Sequence, residues 1–143
     1  MLKGIPKILS PELLKVLCEM GHGDEIVIAD ANFPSANYGK RLIRVDGISG
    51  TAMLDAILKV FPLDTYSDSN MILMQLMDCD VGKVNPTIWS EYKTIAKKND
   101  KNVKVGNIDR FDFYDRAKEA YAIIATGEEA IYANIIIKKG VIK

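Results

Sequence analysis

The chain has 143 residues, close to one ordinary domain, and its 19 Lys plus Arg against 19 Asp plus Glu give a formal net charge of zero. That balance argues against nucleic acid as the main partner, because such binding rests on many Lys and Arg neutralising phosphates. The apolar fraction of 48% and charged fraction of 27% argue against disorder, collagen and coiled coil.

Ser10-Pro11-Glu12 reads as a helix start, with Ser as cap and Pro at the first helical position. Leu13, Leu14, Val16, Leu17 and Met20 follow at helical spacing, and Gly21 is the expected stop. Ile26 to Ala29 is a short apolar run that suits a strand buried on both faces. Asp30 ends it, and Ala31 to Gly39 reads as a loop. Leu42 to Val45 is strand-like, Gly47 to Gly50 a turn, and Thr51 to Phe61 a helix closed by Pro62. Met71 to Met77 reads as a second buried strand, and Asn85-Pro86 opens a helix to about Lys98. Val103 to Ile108 is strand-like and Arg110 to Glu119 helical. Tyr121 to Ala125 and Tyr132 to Ile137 are the last two strands.

Strands alternating with helices predict an α/β layered domain with a largely parallel sheet, spanning residues 1–143 as one unit. The short connector between the last two strands suggests an antiparallel pair at one edge. Ligand sites in such sheets form beyond the carboxyl ends of the strands. Asp30, Asp46 and Asp78 stand at or just past such ends.

Cys18 and Cys79 are too few and too far apart for a secreted disulfide framework, and read as buried free thiols in a reducing compartment. No apolar run approaches the ~20 residues needed to span a bilayer, and the N-terminus does not read as a signal peptide. A cytoplasmic protein without a membrane partner is the expectation.

His22 is the only histidine, the residue type that ordinarily changes charge near neutral pH. It lies just after a predicted helix C-terminus, whose dipole favours the protonated ring, as do Asp24 and Glu25. The glycines of Gly21-His22-Gly23 let the backbone approach a ligand closely. The same pattern suits a loop histidine that only caps helix carbonyls. Asp30 could receive hydrogen bonds from a polar ligand, take up a proton, orient His22 or cap loop N–H groups. Asp64 is open to the same ligand, proton or capping readings. Asn134 is unusual in an apolar segment and needs partners if buried. Tyr132 could stack on a sugar face or pack. Arg110 and Tyr114 share a helix face. Met71, Met74 and Met77 read as core, with Met74 also suited to a pocket wall. No dinucleotide fingerprint, Walker motif, zinc pattern or Gly-x-Ser-x-Gly elbow is present.

The segment Ser10 to Pro34, SPELLKVLCEMGHGDEIVIADANFP, resembles the ribose pyranase and fucose mutarotase family on its fucose branch. So do Pro62-Leu63-Asp64-Thr65-Tyr66, the block Arg110-Phe111-x-Phe113-Tyr114-x-Arg116-Ala117, and the tail from Ala125 to Gly140. Four blocks in order cover nearly the whole chain. Tyr132-Ala133-Asn134 carries Ala where the fucose branch usually has Gly, a feature of the ribose branch.

The resemblance implies the RbsD-like α/β fold and a ring-like homo-oligomer, a decamer, with active sites at subunit contacts. It implies interconversion of the α and β anomers of L-fucose. By position, His22 is the proton donor, and Asp30, Asp64, Met74, Arg110, Tyr114, Tyr132 and Asn134 line the sugar site. Ring opening delivers a proton to the ring oxygen and removes one from the anomeric hydroxyl, with no metal or redox cofactor. The alternatives are pyranose/furanose conversion of ribose and a non-catalytic sugar-binding module.

Overall fold

The computed structural model describes residues 1–143. Helix α1 (Pro11–Glu19) starts where Ser10 accepts a hydrogen bond from the Leu13 N–H at 3.1 Å. It buries Leu13, Val16 and Leu17. Met20 leaves the helix in an extended conformation, so Gly21 is not the stop; Gly23, at φ 88°, makes the turn into the first strand.

Six strands form one sheet: β1 (Glu25–Ala29), β2 (Leu42–Val45), β3 (Met71–Met74), β4 (Val105–Ile108), β5 (Ala122–Thr126) and β6 (Ile135–Lys138). Their order is β2-β5-β1-β6-β3-β4. β1 to β5 all point one way, and β6 alone runs against them, between β1 and β3. Val27 pairs with Ile123 on one side and Ile136 on the other. The expected antiparallel pairing of the last two strands does not occur. β5 and β6 pair with opposite backbone edges of β1, so β6 is interior.

The remaining helices are α2 (Ser35–Tyr38), α3 (Gly50–Leu58), α4 (Ile88–Asn99) and α5 (Arg110–Glu119). Alternation along each strand divides the core between two faces. Ile26, Ile28, Leu73 and Ile135 pack with α1, α3 and α4. Val27, Ala29, Ile72 and Ile136 pack with Phe113 and Ala117 of α5 and with Phe33. The layered α/β arrangement expected from the sequence is present.

Several boundaries move. α3 ends at Leu58, before Pro62 can act. β3 stops at Met74; residues 75–84 turn away from the sheet. α2 is a single turn inside the expected loop. Cys18 and Cys79 are exposed, not buried, because they lie on the outer side of α1 and in the turns after β3.

Tyr132 and Asn134 precede β6 instead of lying within it. Tyr132 adopts φ 59°, the left-handed region that costs a non-glycine residue about 1–2 kcal/mol. Helix α4 holds this segment. Trp89 Nε1 donates to the Tyr132 carbonyl at 2.8 Å, and the buried Tyr92 hydroxyl donates to the Ala133 carbonyl at 2.9 Å. Tyr92→Phe keeps the ring but leaves a buried carbonyl unpaired. It is expected to destabilise the fold by about 1–3 kcal/mol in urea unfolding; a change under about 0.5 kcal/mol would mean that α4 does not restrain this segment.

Candidate active site

The parallel strands all end on one side of the sheet. After β1 the chain turns toward the β2 edge, and after β3 toward the β4 edge. A crevice opens where these directions diverge, the usual ligand position in such sheets. There a cavity of about 280 Å³ is lined by Asp30, Asn32, Phe33, Met74, Asp80, Arg110, Tyr114, Ile131, Tyr132 and Asn134. Six of the eight residues singled out in the sequence line it: Asp30, Met74, Arg110, Tyr114, Tyr132 and Asn134.

Asp30 and Asn134 form a reciprocal pair. The Asp30 N–H donates to Asn134 Oδ1 at 2.8 Å, and Asn134 Nδ2 donates to Asp30 Oδ2 at 2.8 Å. Asp30 Oδ1 accepts from the Asn32 N–H at 3.0 Å. Both side chains are buried. Burial pushes the Asp30 carboxyl above its usual range, against the opposing pull of these donors.

Arg110 reaches in from the first turn of α5. Its Nε donates to the Tyr114 hydroxyl at 2.8 Å and its Nη1 approaches the Met77 sulfur at 3.1 Å. Tyr114 stacks edge-on against Phe33, with ring centres 5.5 Å apart. Asp109 caps the same helix by accepting from the Phe111 and Asp112 N–H groups, which fixes where Arg110 starts. Met74 contributes an apolar wall.

His22 and Asp64 lie elsewhere. Both stand near the amino end of β1, and β1 from Glu25 to Ala29 rises roughly 13 Å toward the cavity. His22 Nε2 meets Asp64 Oδ1 at 3.0 Å, with 46% of the His22 side chain exposed and only 2% of the Asp64 side chain. The Tyr66 and Ser67 N–H groups and the Ser67 hydroxyl also donate to Asp64. Burial pushes the Asp64 carboxyl up, but these donors outweigh it and hold it well below the usual carboxylate range. Its two carboxylate oxygens are thereby occupied within the chain, one of them by the His22 ring. Asp24 receives the Gly21 N–H instead of contacting the imidazole.

The sequence reading missed Asp80, Asn32, Phe33 and Ile131 in the cavity, and Ser67 beside Asp64. Asp80 sits in a stretch with no periodicity, and only its fold-level approach to Tyr132 reveals it. A second cavity, about 490 Å³, shares Asp30 and Phe33 but runs toward β2 and Arg44, Asp46 and Glu129. It is the larger, yet it contains only Asp30 of the expected set, and its Arg44–Asp46 ion pair is exposed. No group of three or more His, Cys, Asp or Glu is placed to hold a metal ion. No helix is long and apolar enough to cross a membrane.

The two carboxylates make opposite contributions to stability. Asp30 keeps its proton to higher pH when folded, so its contribution is lost as pH rises above the ordinary value of 3.8. Asp64 releases its proton more readily when folded, so its contribution is present above 3.8 and lost as pH falls below it. Urea unfolding between about pH 3 and pH 8 is expected to show Asp30→Asn gaining on the parent as pH rises. Asp64→Asn should lose most at neutral pH and least in acid. Parallel pH profiles for both variants would contradict the assignment.

Residues 3–142 match the model of the RbsD / FucU transport protein family. The chain is 50% identical over 145 residues to the fucose mutarotase of Danio rerio, covering 99% of this chain and 94% of that protein. It is 48% identical over 142 residues to the L-fucose mutarotase of Histophilus somni, covering 99% and 97%. Among solved structures, the fucose mutarotase of Streptococcus pneumoniae in complex with L-fucose superposes with a TM-score of 0.92 at 50% identity, covering 99% of this chain and all of that one. FucU of Bifidobacterium longum superposes with a TM-score of 0.94 at 52% identity, with the same coverage. A chain matched from end to end in sequence and fold by these proteins belongs to the RbsD / FucU family.

Proposed function

We propose that this chain is an L-fucose mutarotase, an isomerase that interconverts the α and β anomers by opening and reclosing the pyranose ring. The observation that carries the reading is the convergence in one cavity of a buried carboxylate–amide pair, an arginine and two tyrosines. That set suits a monosaccharide: the polar groups engage hydroxyls, and the aromatic faces cover the C–H side. The likeness to a fucose mutarotase holding L-fucose supports the choice of sugar.

Opening the ring moves two protons. One leaves the anomeric hydroxyl as the carbonyl forms, and one reaches the ring oxygen as the C1–O5 bond breaks. Rotation about C1–C2 then presents the other carbonyl face, and the reverse transfers close the ring. Asp30 is the proton acceptor in this scheme. Its burial raises its basicity, and Asn134 and Asn32 hold it in place. His22 is the proton donor, with its Nε2 bound to Asp64 and its Nδ1 left to act.

A single chain keeps His22 and the cavity at opposite ends of β1. The reading therefore requires the His22–Asp64 pair of one copy to reach the cavity of another. A ring-like homo-oligomer, the decamer expected from the resemblance, supplies such a contact. The cytoplasm, where free sugars meet enzymes that accept one anomer, is its place of action.

Exchange NMR on anomeric protons tests the reading with L-fucose and D-ribose in separate samples. Accelerated exchange of L-fucose is expected, falling ~10²- to 10⁴-fold in His22→Ala. Preference for ribose would favour pyranose/furanose conversion, and binding without exchange a sugar-binding module. His22→Ala and Asp30→Ala, each inactive alone, are expected to regain activity when refolded together, with about a quarter of the sites holding both groups. Absence of any recovery, or light scattering at the 15.9 kDa of one chain, would contradict a shared site.

A further inference from the structure

The two tyrosine hydroxyls of the cavity differ in hydrogen-bond polarity. Asp80, in the turns between β3 and α4, lines the cavity beside Tyr132. The Tyr132 hydroxyl donates its single proton to Asp80 Oδ2. The Tyr132 hydroxyl oxygen in turn accepts the Met77 N–H at 3.2 Å. A phenol has one proton and two lone pairs, so what remains at Tyr132 is one lone pair. At Tyr114 the situation is reversed. Its oxygen accepts from Arg110 Nε at 2.8 Å, and its proton has no acceptor within the chain.

We propose that Asp80 sets the polarity of the sugar site: by taking the Tyr132 proton it makes that hydroxyl an acceptor only, so the cavity selects a ligand hydroxyl that donates at that point. The inference rests on the cavity being the sugar site. Asp80 is a positioning residue in this account, acting on the ligand through Tyr132. The arrangement is built, not incidental. Met77 and Asp80 belong to one turn, in which the Asp80 N–H donates to the Met77 carbonyl at 2.9 Å. Arg110 touches the Met77 sulfur, and α4 holds the Tyr132 carbonyl. Burial, then the neighbouring Asp80 carboxylate, pushes the Tyr132 hydroxyl above its usual range, so the phenol keeps its proton at neutral pH.

Fluorine accepts hydrogen bonds weakly and donates none, so deoxyfluoro analogues of L-fucose report which ligand hydroxyls must donate. Dissociation constants are measured by NMR titration on the intact assembly with L-fucose and its 2-, 3- and 4-deoxyfluoro forms. In the parent protein, fluorine at the position facing Tyr132 is expected to weaken binding roughly three- to ten-fold. In Asp80→Ala the freed phenol proton can turn to the fluorine, and that penalty should shrink below about two-fold. Asp80→Asn retains an acceptor oxygen and should keep the parent penalty. Tyr132→Phe should lose it, and adding Asp80→Ala to Tyr132→Phe should change nothing more. An unchanged fluorine penalty in Asp80→Ala, with L-fucose still bound, overturns the role of Asp80 alone. A parent protein that binds no L-fucose overturns the reading of the cavity, and this proposal with it.

Discussion

The reciprocal pair of Asp30 and Asn134 is the contact on which the site depends. It ties the carboxyl end of β1 to the entrance of β6, and it is possible only because β6 runs against its neighbours. A parallel strand in the same place would bring its carboxyl end to the cavity and leave its entrance at the far side. The inserted antiparallel strand instead delivers Tyr132, Ala133 and Asn134 to the ends of β1 and β3. The amide and backbone donors around Asp30 offset only part of the cost of burying it as an anion. The same burial strengthens its hold on a proton, which is what the proposed acceptor role requires.

The rest of the molecule holds that junction in place. Trp89 and Tyr92, one turn apart on α4, take the carbonyls of Tyr132 and Ala133. They make a left-handed tyrosine tolerable where the chain has no glycine. On the other face, Phe33, Phe113 and Tyr114 pack as an aromatic group that positions α5, and with it Arg110. At the opposite end of the sheet, Asp64 is filled by Ser67, Tyr66 and His22 and keeps the imidazole in one orientation at the surface. A ring held by a buried carboxylate, exposed and far from its own cavity, suits the proposed service to a neighbour.

The parts of the fold that were legible in the sequence are those governed by local rules. Ser10-Pro11 starts α1, and the Ile26–Ala29 run is a doubly buried strand. What was not legible depends on partners far along the chain. The segment Tyr132 to Ile137 has strand composition, yet its first three residues are held out of the sheet by α4. The apolar run from Met71 to Met77 also promises a longer strand than β3. Its pairing ends once the Gln75 N–H has donated to the Ile108 carbonyl at the end of β4, and the chain then turns over the cavity. The order of β5 and β6 around β1 is a choice between two backbone edges that no local pattern encodes. The cavity residues carried by the family resemblance largely converge, whereas Asp80 belongs to no motif and becomes visible only through Tyr132.

The central claim is that the imidazole held by Asp64 works on a sugar bound in another copy. An experimental structure of the assembled protein with L-fucose tests it most directly. The account predicts the sugar in the cavity beside Asp30 and Asn134, with the His22 ring of an adjacent copy within hydrogen-bond reach of the ring oxygen. A sugar enclosed by one chain alone, with every His22 ring facing solvent, would contradict it.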